Sequence, residues 1–341
     1  MITQKFIRDG QQAFATLQNL WPFKIRHSRS PRLPTTSPSR LVSTTHSTIL
    51  YLAYGSNLSA QTFKGTRGIN PLSALNVHVP SLTLTFDLPG IPYKEPCFAN
   101  TRYSSPPSPS NTGYRKDRWH KGLVGVVYEV TPEDYRTIIA TEGGGASYHD
   151  VVVPCYAIAP GSKTINAMPS GIPFSAHTLL RPPPSDGSKE NIKNSEGVIR
   201  PNPSYAQASA RYLNLLTSGG EEHALPEDYM AYLYSLRPYT ITTMGQRMGL
   251  AVMVAVWVPM LLFVLGLGKV FADDDGKVPG WLAGLMGMLM KGIWGTYDRC
   301  LMKRFGDGER TIGDEEDEEK GMNWVRDGER VEMPDKSETL T

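Results

Sequence analysis

The run "MGLAVMVAVWVPMLLFVLGLG", Met248 to Gly268, holds 21 residues without a single charge. About 20 apolar residues in one α-helix span the hydrocarbon core of a bilayer. A helix also satisfies its own backbone polar groups, which lipid cannot do. The run therefore predicts a transmembrane helix over 248–268, with Pro259 tolerated as a kink; a buried helix of a soluble core is the alternative. A weaker apolar stretch over 278–297 is rich in Gly and carries Lys291. It reads as a second span, a re-entrant piece or an interfacial helix. If both insert as a hairpin, Arg237, Arg247, Arg299, Lys303 and Arg304 share one side of the membrane and Asp273, Asp274 and Asp275 the other. That matches the cytoplasmic bias of cationic loops, and it expects membrane lipid as a partner and the main domain in the cytosol.

The rest of the chain divides by composition. Residues 1–47 carry seven Lys/Arg and one acid, Asp9, and are rich in Ser, Pro and Thr. Such a segment has too little apolar surface for a core and is expected to be a disordered basic tail, or a transit peptide. Residues 305–341, with "DEEDEEK", are expected to be an acidic disordered tail. Between them, residues 48–240 read as one globular domain. "TILYLAYG", "LTLTFDL", "GLVGVVYEV", "VVVPCYAI" and "FSAHTLL" are strand-like runs separated by Gly, Pro and Asn. "TPEDYRTIIATEG" reads as a helix capped by Thr131, with Pro132 in its first turn. "SYAQASARYLNLLTSGGEEHALPEDYMAYLYSL" reads as a pair of helices broken at Gly-Gly. The expected class is α+β, with a small, mixed, mostly closed barrel-like sheet and flanking helices, followed by the transmembrane helix or helices.

A net charge of +2 gives no argument for a nucleic-acid partner. Three widely spaced cysteines, Cys97, Cys155 and Cys300, suggest neither a disulfide framework nor a zinc site. No metal-ligand spacing occurs elsewhere, and the histidines are scattered.

The chemistry is carried by "YLAYGSNL", Tyr51 to Leu58. A strand ending in Gly55-Ser56-Asn57 can turn backbone N–H groups outward, and Gly lets a ligand approach closely. By itself such a turn is weak evidence. The full string resembles the signature of the γ-glutamylcyclotransferase family. In that family a strand, a helix and a catalytic Glu follow; here "GLVGVVYEV", the helix and Glu142-Gly143 stand in that order, with Tyr148 opening the next strand. "NPSYAQ" offers Tyr205 at the family's substrate-contacting Tyr. The resemblance covers about 48–237 and departs from the family in long Pro-rich insertions. Within the family it points to a fungal, membrane-associated branch of toxin-pathway enzymes acting on glutathione-derived adducts.

The resemblance implies a fold, a reaction and a site. The α-amino group of a γ-glutamyl compound attacks its own γ-carbonyl, giving 5-oxoproline and a free amine. Glu142 is then the general base, and Tyr51, Leu52, Ala53, Tyr54, Gly55, Ser56, Asn57 and Tyr205 bind substrate. No cofactor is expected. An inactive, membrane-anchored binding protein with the same fold is the alternative, and an enzyme acting on γ-glutamylamines ranks below both.

Overall fold

A computed structural model describes residues 33–42, 47–104, 119–142, 148–181, 198, 200, 205–271 and 278–313. Most of the expected basic tail, residues 272–277 and the acidic stretch from 314 lie outside these residues.

Five strands close a barrel in the order β1 (Ile49–Ala53), β5 (Leu123–Val130), β2 (Ser73–Val79), β6 (His149–Ala157), β7 (Phe174–Leu180). Neighbours are antiparallel except β7 and β1, which close the ring in parallel at Tyr51 and His177. Strand β5 lies between β1 and β2, and seven of its eight residues are buried, which explains its nearly unbroken apolar run. Each fully buried Leu or Val contributes roughly 1.5–3 kcal/mol of transfer free energy. Gly125 is required there, because a Cβ would stand 2.5 Å from the Ala53 carbonyl oxygen. Strands β3 (Leu82–Ile91) and β4 (Glu95–Tyr103) form a separate antiparallel hairpin with an irregularity between Thr85 and Leu88.

Helix α2 (Pro132–Thr141) starts as its sequence predicts: the Thr131 side chain accepts from the Asp134 N–H at 3.1 Å. The Gly-Gly pair is not the helix break that the sequence suggests. Helix α3 (Ala210–Glu222) runs through it, and the break falls before α4 (Glu227–Ser235). The glycines are there for close approach: a Cβ on Gly219 would stand 2.5 Å from the Leu58 backbone, and one on Gly220 the same distance from Met230.

Both tails are packed further than their composition suggests. Residues 33–42 lie on the barrel, where helix α1 (Pro38–Val42) presents Arg40 to Glu129 at 3.1 Å and buried Thr36 bonds Ser73 at 2.8 Å. Leu33 and Leu41 of the segment also pack against the apolar core. Residues 306–313 also dock: Glu309 is buried against Arg200, and the Gly308 carbonyl accepts from the Tyr93 N–H at the tip of the β3–β4 hairpin.

Helix α5 (Met244–Phe271) contains Pro259 and packs on α6 (Gly280–Thr296), with Gly292 under the Trp257 ring. Among the described residues α5 is the one helix long and apolar enough to cross a membrane. Little of it is buried, and Val256, Met260 and Phe263 are exposed. The second apolar stretch is helical, with Lys291 on its exposed side.

Candidate active site

The chain leaves β1 at Tyr54 and tightens into a single turn, Ser56–Leu58, followed by a wide π-type turn, Gln61–Thr66. The Leu58 and Ser59 N–H groups bond back to the Gly55 and Ser56 carbonyls. Some of the donors expected of this loop are thus used internally. Among the described residues no partner stands on the Gly55 and Asn57 N–H groups.

Asn57 is buried and is the hub of the site. Its Nδ2 donates to the Tyr51 hydroxyl and to Glu142 Oε1, both at 2.9 Å. Its Oδ1 accepts from Arg67 Nε at 2.7 Å. Arg67 closes the wide turn, donates to Glu142 Oε1 at 2.5 Å through Nη2, and reaches the Thr141 hydroxyl through Nη1. Glu142 caps the C-terminal end of α2, where the helix dipole disfavours a carboxylate. Arg67 and Asn57 offset that penalty and together hold Glu142 over the end of β1. Both donors fall on Oε1; among the described residues none falls on Oε2.

Aromatic side chains wall the site. Tyr51 stacks on Phe63 at 6.1 Å, and Phe63 on Tyr128 at 4.4 Å. The Tyr54 hydroxyl donates to Leu179 O at 2.6 Å. Tyr212 comes from α3 and accepts from the Ala99 N–H at 3.1 Å, so its own proton stays available. Burial first, and then the nearby Glu142 charge, push the Tyr51 and Tyr148 hydroxyls up. Burial also dominates at Tyr54 and Tyr212. All four are neutral O–H groups at physiological pH. Below the loop, Tyr128 pairs with His223 at 2.7 Å.

The structure thus brings Glu142, Tyr51, Tyr54, Gly55, Ser56 and Asn57 together. Leu52 and Ala53 are buried barrel residues beneath them, with the Leu52 carbonyl accepting from Thr178 at 3.0 Å. Tyr205 is placed elsewhere. It precedes α3 rather than opening it, and its hydroxyl donates to Asp307 of the C-terminal segment at 2.5 Å. Arg67 and Tyr212 were not foreseen; a lone Arg after the turn and a Tyr in an amphipathic helix carry no local signal.

The family described as the AclK C-terminal domain matches residues 243–301, which hold α5, α6 and the turn after them. The chain is 32% identical over 274 residues to the γ-glutamyl cyclotransferase gliK of Aspergillus fumigatus, covering 77% of this chain and 90% of that protein. It is 29% identical over 272 residues to the γ-glutamyl cyclotransferase aclK of Aspergillus oryzae, covering 76% and 90%. A solved γ-glutamyl cyclotransferase shares 18% identity, with a TM-score of 0.39 over 57% of this chain and 92% of that one. The chain belongs to the γ-glutamyl cyclotransferase family and is an enzyme of that class. Within the family it is similar to the fungal gliK and aclK proteins.

Proposed function

We propose that this enzyme converts a γ-glutamyl amide to 5-oxoproline and a free amine while tethered to a membrane by α5. The observation that carries the reading is the Glu142 carboxylate, with Oε1 tied by Asn57 and Arg67 and, among the described residues, no donor on Oε2, to which proton transfer is assigned. The substrate's α-ammonium gives a proton to Oε2, and the freed amine attacks the γ-carbonyl. As the tetrahedral intermediate collapses, the C–N bond to the leaving amine breaks and Glu142 returns its proton to that nitrogen. The re-formed carboxylate then takes the second proton from the ring nitrogen and passes it to the departing amine or to solvent, leaving the neutral lactam. One carboxylate in reach of both nitrogens serves as base and then as acid. Ring closure is intramolecular, so orientation supplies much of the acceleration. The Gly55 and Asn57 N–H groups and the Tyr212 hydroxyl are the donors proposed for the developing oxyanion. Substrate binding is assigned to the loop from Tyr51 to Asn57.

The apolar, outward-facing side of α5 supports insertion in lipid. Exposed Arg237, Arg247, Arg299, Lys303 and Arg304 lie toward the domain end of the helical pair and favour a cytosolic catalytic domain. The test is 5-oxoproline release by the full-length chain in detergent, against γ-glutamyl amino acids, γ-glutamylamines and glutathione-derived conjugates. Release from at least one is expected; none from any would overturn the reading.

A further inference from the structure

Arg181 follows β7 directly after Leu180, which pairs with His149, and Tyr148 directly precedes that His149. Its backbone is fixed by Asn100, whose Oδ1 accepts the Arg181 N–H and whose Nδ2 donates to the Arg181 carbonyl, both at 3.0 Å. Its guanidinium is partly buried and donates through Nη2 to Val198 O at 3.3 Å. Among the described residues no carboxylate forms an ion pair with it. The nearest acid on the hairpin side, Asp87, is taken by Arg102, Asn100 and Thr85.

A cation withdrawn from water ordinarily has an anionic partner. Burial lowers the Arg181 pKa, with Tyr148 and Asp87 opposing the shift. The Tyr148 hydroxyl is within electrostatic reach of Arg181 on one side and of Glu142 on the other. Arg67, the other cation of the site, is already committed to Glu142, Asn57 and Thr141. Buried Tyr51, Tyr54 and Tyr212 suit the glutamyl half. Arg181 adjoins them through its chain neighbours: Tyr54 donates to Leu179 O at 2.6 Å, and the Asn100 that fixes Arg181 follows Ala99, whose N–H donates to the Tyr212 hydroxyl at 3.1 Å. Arg181 is more exposed than those tyrosines, and the departing half is assigned to it.

We infer that Arg181 binds substrate, pairing with a carboxylate on the leaving amine, and so sets a preference for leaving groups that carry one. The inference rests on the reaction proposed above. Its test uses two substrates that differ by one carboxylate, γ-glutamyl-alanine and γ-glutamyl-ethylamine, and reads the ratio of their kcat/KM values. A charge-assisted hydrogen bond corresponds to roughly a 10- to 100-fold ratio in the wild-type chain. Arg181→Gln keeps the backbone bonds to Asn100 and is expected to collapse the ratio to within about threefold, chiefly through KM. Arg181→Lys is expected to retain some of it. A wild-type ratio near one, or an equal ratio in wild type and Arg181→Gln, overturns the inference. If the wild-type chain releases no 5-oxoproline, the reaction fails instead. Arg181 is then judged by the ratio of calorimetric affinities for the same two compounds, with the same expectation and the same contrary results.

Discussion

Asn57 donates to Glu142 Oε1 at 2.9 Å across 85 positions of chain, and this bond joins the loop after β1 to the end of α2. The same Nδ2 reaches Tyr51, so one amide sets the loop, the barrel wall and the carboxylate together. Asn57→Asp would put a second carboxylate beside Glu142, and like charges in one site disfavour joint ionisation. At neutral pH, Asn57→Asp should therefore lose more kcat than Asn57→Ala. An Asp variant more active than the Ala variant would contradict the role given to the amide.

Gly55 is tightly enclosed by two side chains. A Cβ there would stand 3.2 Å from the Tyr212 hydroxyl and 3.5 Å from the Ala99 Cβ. Gly55→Val should abolish substrate binding by moving Tyr212 and blocking the Gly55 and Asn57 amides. Circular dichroism separates this from misfolding, and a folded Gly55→Val chain with unchanged KM would rule the role out.

His223 supports the loop from below through Tyr128, and burial lowers its pKa from 6.5 to about 4. The unfolded chain thus binds a proton that the folded chain refuses. Stability from this group is complete above about pH 6.5 and falls as pH drops toward 4, by at most a few kcal/mol. Thermal melts between pH 7 and pH 4.5 should show a decline that is shallower in His223→Gln. Equal pH slopes for both chains would remove His223 as its source.

How far the molecule can be read from its sequence follows the range of the contacts. Strand β5 and the Thr131 cap are local, and their residues announce them. Strands β2 and β4 escape the apolar pattern because Asn76, His78, Glu95 and Arg102 interrupt it. Their partners are distant: Asn76 donates to His223 O at 2.8 Å, and Glu95 accepts from Ser209 at 2.6 Å and Arg211 at 2.7 Å. Glu142 could be singled out through the family resemblance. Arg67 and Tyr212 could not, since each acquires its place only when helices and barrel meet. Tyr205 shows the converse, a residue marked by its motif whose hydroxyl the tertiary structure turns to Asp307.

Val256 and Phe263 are exposed on α5 at 50% and 65%, which makes them sensors of what surrounds the helix. An Arg at the centre of a spanning helix costs about 2.5–3.5 kcal/mol on insertion scales. Val256→Arg with Phe263→Arg should shift the chain out of the carbonate-resistant membrane fraction. Wild-type chain released by carbonate, or a double variant that fractionates as wild type does, would show that α5 is not held in lipid.

The central claim is that Glu142 Oε2 moves the proton. Glu142→Gln keeps the shape and an oxygen for Asn57 and Arg67 but cannot take a proton. The decisive measurement is kcat for 5-oxoproline release from the best substrate of the panel, with affinity measured in parallel. The account predicts a loss of roughly 10²–10⁴-fold in kcat with affinity changed by no more than about threefold. A Gln variant turning over at the wild-type rate would contradict it.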